Sequence, residues 1–314
     1  MPQPTLSDVH VDALLTDMSV AYLQDSKLFA ASRIFPSISV AKQSDKFRIY
    51  AQNDFRRNEM KRLGPGAESF ETGYGLSTDT YSADVWALGH FCDDQTAANY
   101  DAPGGAEEDA AVHLAEMSLI NREVEFVTAF FTTSVWSADT TVGTTWDNGA
   151  SDPKSDIQAA IARLLKSTGR KPNRMLVGFE VHQALQRHPL VREQFKYTSS
   201  ESIDENMLAK FFGIDQYIVS GATYSTNNEG ETAANAFIAG KHCLVCYAAD
   251  RPSLMQPSAG YTFQWSGLVG GAEGSRVLRF EMPWRHGVKL EIQSAYDMKV
   301  VGSGLGEFFP SCVA

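Results

Sequence analysis

The run Gly169-Arg-Lys-Pro-Asn-Arg-Met-Leu-Val177, followed by Leu185-Gln-Arg-His-Pro189 and then Leu208-Ala-Lys-Phe-Phe-Gly-Ile-Asp-Gln-Tyr-Ile-Val-Ser-Gly221, fixes an order of elements. Just upstream, Asp152 and Pro153 supply a cap and a first-turn proline. Ile157, Ile161, Leu164 and Leu165 then recur at helical spacing until Gly169 stops the helix. Residues 175–177 predict a buried strand. Phe179, Val181, His182 and Leu185 predict a second helix ending near Pro189, because the residue before a proline is pushed out of the helical region. Residues 203–212 read as a third helix, closed by Gly213 in a left-handed cap, and 216–219 as another strand.

Working outward, residues 107–131 carry a continuous helical pattern with Glu107, Glu108 and Asp109 at the positive end of its dipole. One apolar stripe is Val112, Ala115, Leu119, Phe126 and Phe130; a second is Leu114, Met117, Val124, Val127 and Phe131. Such a helix, roughly 37 Å long at 1.5 Å per residue, packs against a sheet or another subunit. Near the end of the chain Val288, Leu290, Ile292, Tyr296, Met298 and Val300 alternate with Lys289, Glu291, Gln293, Asp297 and Lys299, which predicts a long strand with one wet face. Phe47, Ile49 and Ala51 mark one strand, and Tyr81, Ala83, Val85 and Ala87 a second. Arg56, Arg57, Lys61, Arg62 and several glycines lie between them, so the pair reads as a long hairpin with a charged tip.

The order of elements from Pro172 and Asn173, through Leu185, His188 and Pro189, to Phe212-Gly213-Ile214-Asp215 resembles the axial domain of major capsid proteins from tailed bacteriophages. The resemblance extends more loosely to residues 253–265 and to the last strand. It implies an α+β chain with the tailed-phage major capsid fold. Residues 1–45 would be an N-terminal arm and 46–92 an extended β-hairpin loop. Residues 93–150 and 286–301 would form a peripheral domain with a spine helix at 107–131 and long strands, and 151–285 with 302–314 an axial α/β domain. Arg56, Arg57, Lys61, Arg62 and Phe126 are the expected subunit-interface residues. The four basic residues have two readings of similar weight, a solvated tip or an intersubunit salt-bridge cluster, with direct DNA contact third.

A chain of 314 residues with 43% hydrophobic and 21% charged residues buries a sizeable core. Its net charge of −11 argues against a surface that holds nucleic acid by neutralising phosphates, and suits a container wall better than a condenser. The start of the chain carries Asp8, Asp12, Asp17 and Asp25, unlike a secretory signal, and no apolar run is long enough to span a bilayer. Cytosolic synthesis is therefore expected. Cys243 and Cys246 form a lone Cys-x-x-Cys, either half of a zinc or redox site or two buried thiols. On a strand, positions three apart face opposite sides, which favours thiols.

Searches for chemistry find no phosphate loop, no His-Glu-x-x-His and no Gly-x-Ser-x-Gly, and Gly302, Gly304 and Gly306 lack a dinucleotide-binding context. Some phage shells join a lysine of the extended loop to an asparagine of a neighbour. Lys42, Lys46 and Lys61 are candidate amines, but no asparagine follows Asn235. The expectation is a non-enzymatic structural subunit without catalytic residues, metal or cofactor, assembling noncovalently as pentamers and hexamers into an icosahedral shell around double-stranded DNA. A separate scaffolding protein, a portal and a decoration protein are the partners the resemblance implies, with no membrane. It would reside in the virion capsid after assembly in the host cytoplasm. An encapsulin-type compartment shell shares the fold and is the alternative; a soluble α/β enzyme with an unrecognised site is the alternative of another class.

Overall fold

The computed structural model describes residues 23–100, 105–195, 203–227, 230–232, 234–252, 256–267 and 275–314. A one-turn helix (Ala31–Ile34) leads into strand β1 (Ser37–Val40). Strands β2 (Ser44–Tyr50) and β3 (Leu76–Ser82) then pair antiparallel from Ser44↔Ser82 to Tyr50↔Leu76. Strand β4 (Asp84–Asp93) follows after one residue, then a short helix (Asp94–Ala98) and the long helix (Gly105–Phe130). With 26 residues the long helix extends about 39 Å.

Beyond the short strand β5 (Ala138–Asp139), the chain follows the order expected from its punctuation. The Asp152 carboxylate accepts the Ser155 amide at 3.1 Å to open the helix Pro153–Thr168, and Gly169 closes it at φ 73°. Strand β6 (Arg174–Gly178) runs straight into the helix Phe179–Arg187. At Gly178 any Cβ would sit 1.8 Å from the Gly240 carbonyl oxygen, so only glycine fits this crossing. Pro189 stops that helix and starts another (Pro189–Phe195) that the sequence pattern misses; proline fits a first turn, where its missing N–H costs nothing. The helix Glu205–Phe212, capped by Asp204, ends at left-handed Gly213. Strands β7 (Gln216–Ser220), β8 (Thr223–Ser225), β9 (Asn235–Phe237), β10 (Cys243–Cys246), β11 (Gly260–Trp265), β12 (Ser275–Met282), β13 (Gly287–Val300) and β14 (Gly306–Phe309) complete the described chain.

One sheet has the order β5-β14-β10-β6-β7, with β6 and β7 parallel and β10 antiparallel to both its neighbours. Its inner strands are buried on both faces, which is why β6 and β10 read as unbroken apolar runs. Period-two alternation sorts their side chains into two cores. Met175, Val177, Cys243, Val245 and Phe309 meet the helices through Ile157, Val181, Leu185 and Phe212, while Leu176, Ile218, Leu244, Cys246 and Phe308 meet the long helix, Phe35 and Trp136.

The second sheet has the order β1-β11-β13-β12, with β4 also paired to β13. The long helix lies on it through Ala110 and Leu114, against Cys92, Leu290 and Ile292. The helix then buries Phe126 and Phe130 in the other core. Residues 110 and 126 lie about 160° apart around a helix, so opposite faces are buried at its two ends. This splits the stripe expected from the sequence: Phe126 and Phe130 are buried but Val112 and Leu119 are exposed.

The alternation Tyr81, Ala83, Val85, Ala87 is likewise divided. Tyr81 and Ala83 are buried, but Val85 and Ala87 are exposed, because the chain leaves β2 at the end of β3 and β4 pairs with β13 from Asp84↔Tyr296 to Asp93↔Gly287. Trp86 now takes the inward position and stacks on Tyr296. Residues 1–22 of the expected arm lie outside the described residues. Part of the remainder is core: Phe29, Ile34 and Phe35 are buried and β1 pairs parallel with β11, whereas residues 41–45 are exposed.

Candidate functional site

The hairpin of β2 and β3 ends in residues 51–75, which carry little regular structure and are tied at their root. Ala51 donates its amide to the Gly75 carbonyl at 3.1 Å, and the Gly75 amide donates to Asp54 Oδ2 at 2.7 Å. Arg57 pairs with Asp54 at 3.0 Å, and Tyr50, Phe55 and Tyr74 cluster with centroids 5.6–5.9 Å apart, Tyr50 and Phe55 edge to face and the other two pairs tilted. Arg56 reaches across to the end of the helix Pro153–Thr168, donating to the Ser167 carbonyl and, at 3.0 Å, to that of Lys166. A cation there answers the helix's negative end and two carbonyls its own backbone leaves open. Gln52 joins it on the Ser167 carbonyl at 2.5 Å.

Farther out the contacts stop. Lys61 sits over the Phe70 ring at 4.6 Å, and among the described residues neither Lys61 nor Arg62 has a carboxylate partner. Met60 is 95% exposed and Phe70 62%, with Leu63 also exposed. Val277, Phe280 and the 76% exposed Trp284 are also open on and beside β12, Val277 and Phe280 on opposite faces of that strand. The expected interface residues thus divide. Arg56 and Arg57 are engaged within the subunit, and Lys61 and Arg62 are open. Phe126 is 1% exposed within the subunit and packs on Phe130 with centroids 5.1 Å apart.

Sequence reasoning passes over a charged clamp at the joint between the two sheets. Glu123 of the long helix is fully buried. Its carboxylate accepts the amides of Ala30 at 3.0 Å and Ala31 at 2.8 Å, and the Ser220 hydroxyl at 2.7 Å. Arg174 of β6 takes the other end of the same one-turn helix, donating to the carbonyls of Ile34 at 2.5 Å and Arg33 at 3.2 Å. Negative charge at the amino end and positive charge at the carboxyl end both favour the turn. Burial raises the Glu123 carboxyl above its ordinary range, and the bonds from Ala31, Ser220 and Ala30 oppose this. The signal in the sequence is a lone acid on the stripe of Leu119, Phe126 and Phe130.

The buried Ser151 and His188 look like a hydrolytic pair at 3.2 Å but are wired as structure. His188 Nδ1 accepts the Leu190 amide at 3.3 Å, so Nε2 carries the proton and donates; Ser151 gives its own hydrogen to the Asn148 carbonyl at 2.7 Å. No base is left for the serine. Cys243 and Cys246 lie in opposite cores, and burial pushes the Cys246 thiol up to about 12. Among the described residues no group of His, Cys, Asp and Glu is placed to hold a metal, and no helix is long and apolar enough to cross a membrane.

A spine-like helix between two sheets, with a hairpin whose base packs on one of them through Phe47, Tyr81 and Phe263 while its end projects, defines the class: the fold is that of tailed-phage capsid subunits. Residues 127–251 match the family described as Phage major capsid protein E. The major capsid protein of Burkholderia phage BcepMu is 21% identical over 267 residues, covering 82% of this chain and 84% of that protein. A phage-related protein from Bordetella bronchiseptica RB50 superposes with a TM-score of 0.71 at 21% identity, over 92% of this chain and 93% of the other. The capsid of a native GTA particle gives 0.62 at 12% identity, over 97% and 98%. The holo-SrpI encapsulin complex from Synechococcus elongatus PCC 7942 gives 0.57 at 10% identity, over 100% and 96%. These findings support a structural capsid subunit, and the resemblance read from the sequence is borne out.

Proposed function

We propose that this chain is the major capsid subunit of an icosahedral shell, assembling as pentamers and hexamers around double-stranded DNA without reading its sequence. The observation that carries this is the hairpin end, residues 51–75. It keeps Phe55, Met60, Leu63, Phe70 and Tyr74 exposed, and a two-stranded ribbon of this kind is marginal in water until it lies on another surface. Lysines and arginines at the tip supply contacts to acidic groups of a neighbour. The same reading assigns no enzymatic activity, puts assembly in the host cytoplasm, and gives the subunit a scaffolding protein, a portal and a decoration protein as partners.

The encapsulin-type compartment is the second reading, favoured by the full-length likeness to the encapsulin complex. Electron microscopy of purified protein under assembly conditions tests both. Shells of regular diameter are expected, and their absence overturns the structural role. DNA extracted from particles made during infection supports the capsid, whereas a protein cargo in its place supports the compartment.

A further inference from the structure

Strand β12 pairs with β13 along one edge, from Arg276↔Gln293 to Met282↔Gly287. Because β4 occupies β13's opposite edge over the same residues, the outer edge of β12 is unpaired among the described residues. An open edge of eight residues bearing exposed Val277 and Phe280 is a template for a further strand. Arg276 marks it chemically. Its guanidinium donates to the neutral Gln293 Oε1, at 2.8 Å and 3.1 Å; Glu291, itself bonded to Lys289 and Gln293, acts on it at longer range, and among the described residues no carboxylate pairs with it directly.

The hairpin end carries the complement. Residues 68–74 form neither helix nor strand, make no backbone hydrogen bond from their amides among the described residues, and are exposed throughout. They read Glu68-Ser-Phe-Glu71-Thr-Gly-Tyr74, two acids three apart, matching the spacing of Arg276 and Arg279. Neither acid has a cationic partner among the described residues.

Resting on the capsid reading, we propose that residues 67–72 of one copy add as an antiparallel strand to the outer edge of β12 of a second copy. Glu71 then lies opposite Arg276, Glu68 opposite Arg279, Phe70 opposite Val277 and Ala67 opposite Phe280. Antiparallel order is chosen because it sets Phe70 against the exposed, β-branched Val277, a stabilising cross-strand pair. The parallel alternative sets it against the less exposed Leu278. Arg279 already holds Glu107 at 2.9 Å and Glu281 at 3.0 Å, so Arg276 supplies the stronger selection of register.

The test places single cysteines at opposed positions. Phe70→Cys with Val277→Cys in one chain, treated with a mild oxidant, is expected to give a ladder of linked subunits on a nonreducing denaturing gel. Mixing the two single variants should give dimers only. Ser69→Cys with Val277→Cys should give neither, since a slip of one residue turns the side chain to the other face. Separately, Glu71→Arg and Arg276→Glu should each lower shell yield roughly tenfold, about 1.4 kcal/mol per subunit contact, and the two together should restore it. Shells without links and without rescue overturn the strand contact and leave the capsid reading standing. Linked dimers without shells keep the contact and overturn the capsid reading; the absence of both overturns both.

Discussion

Glu123 shows at the scale of one residue why a local pattern reads only part of a core. Spacing places it with Leu119, Phe126 and Phe130, and a charge on that stripe looks like a break. It is buried because amides some ninety residues away arrive to bond it, and no local periodicity reports that. Glu123→Ala leaves those amides and Ser220 without an acceptor in a dry site, at about 1–3 kcal/mol for each unsatisfied donor, so a loss of about 3–5 kcal/mol is expected in chemical denaturation of the subunit. Glu123→Gln keeps one oxygen for the amides and should cost far less. Burial raises the folded carboxyl's pKa, so its contribution is fully present below the unfolded value and is lost as pH rises through the folded one. The wild type should therefore gain on the Gln variant as pH falls toward the ordinary carboxylate range; an unchanged difference across pH would show that burial does not perturb the group. Phe126→Ala, seated between Phe35 and Phe130, should open a cavity costing about 3–5 kcal/mol, measured the same way.

At the scale of elements, caps and glycines made the helices legible: Asp152, Gly169 and Gly213 each sit at a helix end, whereas Asp204 caps the third helix at a start the pattern had put two residues earlier. Long alternations were legible as strands but not as partners. Nothing between Ala83 and Val85 announces that the chain changes sheets and that the inward face passes to Trp86. The tip residues were legible as charged, yet their division into engaged and open needed the helix end that Arg56 reaches. That division sharpens the mutational expectation. Lys61→Gln with Arg62→Gln should weaken assembly without altering the melting of the subunit, and wild-type shells should lose heat stability as salt rises, since exposed pairs contribute about 0–1 kcal/mol each and are screened. Arg56→Gln should instead loosen the hairpin root, seen as faster amide exchange at residues 51–57. Deleting residues 58–75 should leave a folded subunit and abolish shells, because a specific contact typically buries about 800 Å² per partner. Normal particles from the deletion would remove the hairpin from the assembly surface.

At the scale of the whole molecule, the two sheets share the long helix, and the two cores account for the chemistry that is missing as well as for the fold. Cys243 packs among Val177, Val245 and Cys312, Cys246 among Leu176, Leu244 and Phe308, so the strand that separates them also prevents the pair from closing on one metal. Burial holds both thiols protonated. On the hairpin side, Lys42 is paired with Asp45 at 3.0 Å and Lys61 lies over Phe70, while the returning segment after Asn235 offers no asparagine to receive an amine. Mature particles boiled in reducing detergent should therefore run as one band near 34.5 kDa and contain no stoichiometric zinc. Intact mass and metal analysis on the same sample check both halves. A ladder that survives reduction would place an acceptor elsewhere, with Asn53 and Asn58 on the hairpin the first to examine, and would make the shell covalent. Zinc near one per chain would require Cys243 and Cys246 to turn to the same side, which the pairing of β10 with both β6 and β14 forbids.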